Sequence, residues 1–156
     1  MRLAVDGVII NKKGQVLVVK RNESSSAFPG CWALPGGGVE DTDPRIWIAC
    51  KREMHEETGL VLSGGKYINY FDTMNRDPRN RVVSFAWLFT EIFPFPPVVA
   101  QDDVVDFKWV HWERLVYLEG RKPSMELAFD HNYIVTDAWY KHPESFMDPE
   151  NNGYER

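Results

Sequence analysis

Glu53, Glu56 and Glu57 stand at the end of a helical segment, with Gly59 just beyond them. That is the wrong end of a helix for acids. The C-terminus carries partial negative charge, so a carboxylate there is disfavoured by a few tenths to about 1 kcal/mol. Their i, i+3, i+4 spacing also gathers them on one face, where like charges repel. A cation at that face would offset both costs, and a hard divalent ion such as Mg2+ takes carboxylate oxygens and brings substrate phosphates with it. Upstream lies Gly36-Gly37-Gly38, which reads as a tight turn whose backbone can approach a ligand closely. Either feature alone has an ordinary reading, as a flexible turn or a solvated helix face. Together, backbone carbonyls and clustered carboxylates make an oxygen-donor site for Mg2+.

The elements that must position these groups follow from pattern. Val8-Ile9-Ile10, the turn Asn11 to Gly14, and Val16 to Val19 read as strand, turn, strand. Trp32-Ala33-Leu34 is a short strand before the glycines. Asp43 then Pro44 predicts an N-cap and first helical residue. Ile46, Ala49, Cys50 and Met54 form the buried stripe of that helix, and Gly59 stops it. Tyr67 to Thr73, Arg81 to Phe93 and Val104 to Val110 are strand-like, and Pro94, Pro96 and Pro97 begin a loop. Helical spacing runs from Ser124 to Tyr140. The order β, β, α, β, β, β, α predicts an α/β chain, a mixed sheet with helices on both faces.

With 156 residues, 44% of them hydrophobic, and six Trp, nine Phe and six Tyr, the chain is expected to form one domain over 1–147, followed by a polar tail over 148–156. The formal charge of −5 argues against nucleic acid or an anionic membrane as partner. A small anionic substrate remains compatible where cations gather locally or a metal is bound. No apolar run nears the ~18 residues of a membrane span, and no signal peptide is visible at the start. Only Cys31 and Cys50 occur, which reads as reduced thiols and a cytoplasmic location rather than a disulfide framework.

Arg52-Glu53-Met54-His55-Glu56-Glu57-Thr58-Gly59-Leu60, with Pro35-Gly36-Gly37 and Val39-Glu40 before it, resembles the box of the Nudix hydrolases, GX5EX7REUXEEXGU, in which U is a bulky apolar residue. The second half matches at every fixed position. The resemblance implies the Nudix fold, an α/β/α sandwich with a mixed central β-sheet. It implies pyrophosphohydrolase activity with Mg2+, or Mn2+ in its place. By resemblance Glu53 and Glu57 bind the metal, Glu56 binds metal or positions the attacking water, and the Gly36 carbonyl is a further ligand. Arg52 belongs to the catalytic set. One departure stands out: counted from Gly37, the first acid of the box falls on Asp43, and eight residues rather than seven separate it from Arg52. In the family that acid helps hold the arginine; here Asp43, Asp41 or Glu40 must do so. An acid from outside the box is common among Nudix enzymes, and Asp103 and Asp102 are the candidates, with Glu91 behind them.

The flanks narrow the substrate. Phe28 to Pro35, Arg76-Asp77-Pro78-Arg79-Asn80-Arg81-Val82-Val83-Ser84 and Leu127-Ala128-Phe129-Asp130-His131 resemble the ADP-ribose pyrophosphatase branch. That branch implies ADP-ribose cleavage to AMP and ribose 5-phosphate; NADH, a nucleotide sugar, a nucleoside triphosphate and a non-catalytic ADP-ribose sensor are the alternatives. Arg76, Arg79 and Arg81 offer bidentate donors for a pyrophosphate, against the alternative that they pair with Asp72, Asp77 or a partner subunit. Lys20 and Arg21 are similar candidates. Gly37 lets substrate approach, and Phe28, Tyr70, Phe71 or Trp32 could stack on adenine. Apolar residues of Leu127 to His131 are expected to pack, and Asp130 and His131 to hold the local chain. The four histidines read as structural. Relatives of this branch are commonly dimers, so a homodimer is compatible.

Overall fold

The computed structural model describes residues 1–92, 99–100 and 103–147. The expected tail at 148–156, Pro94, Pro96, Pro97 and Asp102 lie outside them. The elements run β1 (Arg2–Ile9), β2 (Gln15–Arg21), β3 (Trp32–Ala33), β4 (Gly36–Gly38), α1 (Ile46–Thr58), β5 (Leu62–Ser63), β6 (Lys66–Phe71), β7 (Val82–Phe89), β8 (Glu91–Ile92), β9 (Val104–His111) and α2 (His131–Lys141), with short 3-10 turns at Trp112–Arg114 and Pro143–Ser145.

β1 organises the fold. It pairs parallel with β7 from Arg2 opposite Val82 to Ile9 opposite Phe89, and antiparallel with β4 on its other side. β6 closes the far edge, giving the mixed order β4-β1-β7-β6, while β3, β2 and β9 form an antiparallel sheet and β5 pairs β8. Alternate side chains of a strand point to opposite faces, and β1 uses both. Val5 and Ile9 pack with Ala49, Cys50 and Met54 of α1. Val8 joins Ile134, Val135 and Ala138 of α2 on the other face. Two cores on two faces make the α/β/α sandwich. Met54 has no exposed surface, and truncating such a side chain to Ala costs about 2–5 kcal/mol.

Four local expectations change. The glycines do not form a turn. They form β4, with Gly36 opposite Asp6, Gly37 opposite Val5 and Gly38 opposite Ala4. α1 does not begin at Pro44. Arg45 occupies the N-cap position with extended backbone and no side-chain cap bond, because the Asp43 carboxylate is committed to Arg52 and to the Glu40 N–H. Ser124 does not start α2 either. Leu127 N–H donates to Asn132 Oδ1 at 2.8 Å, Ala128 N–H donates to Trp32 O at 2.8 Å, and Phe129 has φ 55. These bonds tie the segment to β3 and prevent helical geometry. The long strand expected from Arg81 is interrupted between β7 and β8. Gly59 ends α1 as expected, at φ 75, its N–H returning to His55 O at 2.8 Å. Both cysteines are free thiols, and no described helix is long and apolar enough to cross a membrane.

Candidate active site

The acids of α1 do not share one environment. Glu53 is buried, Glu57 half-buried and Glu56 exposed. Glu53 and Glu57 face the glycine strand: Gly36 N–H donates to Glu57 Oε1 at 2.9 Å, and a Cβ on Gly37 would overlap the Glu53 carboxylate. Glycine is therefore required at this contact between β4 and α1, since any side chain would displace the acid. A Cβ on Gly36 would likewise overlap Val5 O and Asp6 Oδ1.

Arg52 offsets the repulsion expected among the acids. Its Nη1 donates to Glu56 Oε2 at 3.1 Å and Glu53 Oε2 at 3.3 Å, and its Nη2 donates to Gly38 O at 3.0 Å. The other edge of the guanidinium is held by Asp43, Nε to Oδ1 at 2.9 Å and Nη2 to Oδ2 at 2.8 Å. Asp43 thus supplies the grip on Arg52 despite the extra residue in the loop; Glu40 is more distant at 3.7 Å. The hydrogen bonds from Arg52, with one from the Glu40 N–H, hold the Asp43 carboxyl down to about 2.

A second network lies behind β4. Asp6 is buried, a charge inside an apolar strand. Ser84 Oγ donates to Asp6 Oδ2, and His131 Nε2 stands 3.3 Å from Asp6 Oδ1. His131 Nδ1 accepts from Leu34 N–H at 2.9 Å, so the ring proton sits on Nε2 and is donated to Asp6. Burial pushes the Asp6 carboxyl up, but His131, Ser84 and Arg76 outweigh it and hold it below the usual value. Arg76 is bidentate to Asp130, Nε to Oδ2 at 2.9 Å and Nη2 to Oδ1 at 2.6 Å. Arg79 is bidentate to Asp77 at 3.0 and 2.7 Å. The alternative reading of the arginine loop therefore holds for Arg79, which pairs with Asp77, while Arg76 pairs with Asp130, a partner not among those expected.

The two networks meet at one cavity of about 480 Å³, lined by Gly36, Gly37, Glu53 and Glu57 at one part and by Arg21, Arg76, Arg79, Asp103, Phe129 and His131 at others. That size suits a small organic ligand. Arg52 and Glu56 do not line it; Arg52 donates to both Glu53 and Glu56 and so ties them together beside the wall. Phe28 and Arg81 do not line it either; Phe28 packs on Phe129, and Arg81 O accepts from Arg2 N–H. Tyr70, Phe71 and Trp32 are also absent from the wall, as is Lys20, and Glu91 accepts from Ser63 Oγ. The aromatic ring that does reach the wall is Phe129, expected from sequence only to pack. Asp6 and His131 were equally outside the expected site. A charged residue in the middle of the apolar run Val5 to Ile10 was the sequence signal for the first; the other two lie in the Leu127 to His131 string, which pointed to the branch but not to a place on the wall.

Among the described residues, no group of three or more His, Cys, Asp or Glu side chains is arranged as a metal centre. The donors that surround the glycines are nevertheless all oxygens: Glu53, Glu57 and the β4 backbone. That chemistry fits a hard divalent cation and not a thiolate or imidazole metal.

A family model described as the NUDIX domain matches residues 1–131. The chain is 34% identical over 135 residues to an ADP-ribose pyrophosphatase of Methanocaldococcus jannaschii, covering 86% of this chain and 71% of that one. It is 32% identical over 114 residues to the nucleoside triphosphatase NudI of Salmonella agona, covering 69% of this chain and 80% of the relative. Its fold matches the NUDIX domain of Shewanella oneidensis NrtR, solved in complex with ADP ribose, with TM-score 0.76 at 25% identity, over 90% of this chain and 88% of that one.

Proposed function

The chain belongs to the Nudix hydrolase family, and from that premise we propose that it is a Mg2+-dependent pyrophosphatase that converts ADP-ribose to AMP and ribose 5-phosphate. The observation that carries this reading is one cavity walled by both Glu53 and Glu57 and the arginines Arg21 and Arg79. A diphosphate-linked substrate bound with a divalent cation needs both signs of charge within its own length. The ADP-ribose pyrophosphatase relative supports the nucleotide.

Glu53, Glu57 and the Gly36 carbonyl would hold Mg2+, or Mn2+ in its place, and Glu56 joins them or orients the attacking water. When bound, the ion neutralises phosphate charge and makes water a stronger nucleophile. The chain's own residues do the rest. Arg52, gripped by Asp43, keeps Glu53 and Glu56 from drifting apart. Asp103, on the cavity wall, is the carboxylate outside the box that takes the proton from water as its oxygen bonds to phosphorus. The bridging P–O–P bond breaks, and the departing phosphate leaves as an anion near the arginines. Gly37 lets the diphosphate approach the backbone. Arg81 contributes positive field, Arg76 holds the wall in place through Asp130, and Phe28 acts behind Phe129.

A small-molecule substrate, with neither nucleic acid nor membrane as partner, agrees with the charge of −5. The free thiols agree with a cytoplasmic location. Exposed Tyr67 and Tyr70 on edge strand β6 would suit a homodimer. The second reading, nucleoside triphosphate hydrolysis, is favoured by the NudI relative. A product assay with Mg2+ and ADP-ribose, NADH, nucleotide sugars and nucleoside triphosphates separates them. AMP and ribose 5-phosphate from ADP-ribose are expected; triphosphate cleavage without ADP-ribose turnover would reject the first reading.

A further inference from the structure

A strand made only of glycines has no side chains of its own to set its register. β4 is Gly36-Gly37-Gly38, at the edge of its sheet. Register is specified by side chains committed to one face, and Gly-rich strands are prone to slip. Yet the register of this strand has a chemical consequence. Gly7 N–H donates to Pro35 O and Val39 N–H donates to Leu3 O, both at 3.0 Å. In the alternation these bonds set, the facing residues Asp6 and Gly36 are a non-hydrogen-bonded pair. The Gly36 N–H and carbonyl therefore both turn away from β1, and the N–H reaches Glu57 Oε1. A slip of one residue would turn both groups onto β1 and away from the acids of α1.

Something outside the strand must hold it. His131, at the start of α2, is buried and uses both ring nitrogens across this junction. Its Nδ1 accepts from Leu34 N–H at 2.9 Å, two residues before Gly36. Its Nε2 stands 3.3 Å from Oδ1 of Asp6, the residue that faces Gly36. Ser84 Oγ donates to the other Asp6 oxygen, so the carboxylate is itself fixed from β7. One rigid ring thus sets the offset between the chain entering β4 and its pairing partner on β1.

We infer that His131 is a positioning residue: it pins β4 in register on β1 and so sets the direction in which Gly36 presents its carbonyl to a divalent cation. The inference rests on the metal-dependent hydrolase reading above, but on no particular nucleotide. His131 reaches the cavity wall, yet this role needs no contact between its ring and substrate.

Three substitutions cut the pin in different places. His131→Leu removes both ends. His131→Asn keeps an acceptor for Leu34 N–H but does not reach Asp6, and His131→Gln places a donor toward Asp6 but no acceptor at Leu34. Two measurements are made on the whole chain: Mn2+ binding without nucleotide, by calorimetry, and amide hydrogen exchange. His131→Leu is expected to weaken Mn2+ binding about tenfold, the scale of lost support behind metal ligands, with smaller losses in His131→Asn and His131→Gln. In His131→Leu the Gly7 and Val39 amides, which bond across the β1–β4 pair, should exchange faster. The Ile10 amide, which donates to Phe89 O on the other side of β1, should exchange as before. General destabilisation would accelerate all three alike, and that result overturns the inference. So does unchanged Mn2+ affinity, or unchanged exchange at Gly7 and Val39. If His131→Leu does not fold, His131→Asn and His131→Gln, each retaining one end of the pin, decide it by the same readings. Failure of the hydrolase reading appears separately, as an unmodified protein that binds no Mn2+ and turns over no nucleotide of the panel, and the amides then judge the register by themselves.

Discussion

Arg52 and Arg76 are both gripped at one edge by an aspartate in the same two-bond geometry, yet they do different work. The Arg52 side chain is 22% exposed and reaches Glu53, Glu56 and the Gly38 carbonyl with its remaining donors. The Arg76 side chain is 4% exposed, and its next anion is the buried Asp6 at 3.8 Å. One arginine stands at the solvent edge and aligns Glu53 and Glu56, acids of the proposed reaction site; the other is a buried strut between the 76–81 loop, β1 and the start of α2. The lesson concerns where charge energy goes. A partly solvated pair is worth little to stability, so Arg52 can serve orientation. Leaving a buried charge without its partner is destabilising by about 3–5 kcal/mol, so Arg76 cannot easily release Asp130 to bind a phosphate.

The largest effect tests the acids that Arg52 aligns. Glu57→Gln and Glu53→Gln should each lower metal-dependent kcat roughly a thousandfold, since a bound metal supplies several kcal/mol to the transition state. Circular dichroism should be unchanged. Full activity in both variants would remove the acid end of the cavity from the mechanism. Next comes the strut. Asp130→Ala should cost about 3 kcal/mol in urea unfolding, whereas Asp43→Ala should shift the midpoint far less. Equal shifts would erase the distinction between the two arginines.

A smaller effect concerns orientation. Asp43→Asn should reduce kcat about tenfold, the usual scale for a partner that orients metal-site ligands, and leave KM nearly unchanged. No change in kcat would mean that Arg52 is held well enough by Glu56 and Gly38. The smallest is a pH dependence. Asp43 titrates at about 2 when folded against a usual 3.8. Its contribution to stability is thus present above the usual value and is lost as pH falls through about 2. Acid unfolding of Asp43→Asn should be flatter between those two values than that of the unmodified protein. Identical curves would show that the pair adds nothing to stability.

Much of the site was legible because it is local. The positions of Arg52, Glu53, Glu56, Glu57 and Gly59 are set by helical spacing, and the helix appears at that spacing with Ala49, Cys50 and Met54 of the expected stripe buried and Ile46 half-buried. Asp43 was among the named partners for Arg52, but its rival role as helix cap could not be weighed from sequence, since the orientation of its carboxylate depends on where the guanidinium arrives. The arginine loop shows the opposite limit. Its charges suggested phosphate, but Asp130 is 54 residues from Arg76, and no spacing rule reports such a pair.

Sequence by itself determined the family, the α/β class and the place of the acids at the end of α1, because periodicity and a contiguous box act over a few turns of chain. Tertiary structure alone decided that the glycines are a strand against β1, that Asp6 and His131 stand behind it, and that Phe129 is bent into the cavity wall with Arg21 and Arg79 over its ring. Each of these depends on pairings between distant segments, where burial removes water as the competing partner and so makes one arrangement of charges much cheaper than the others.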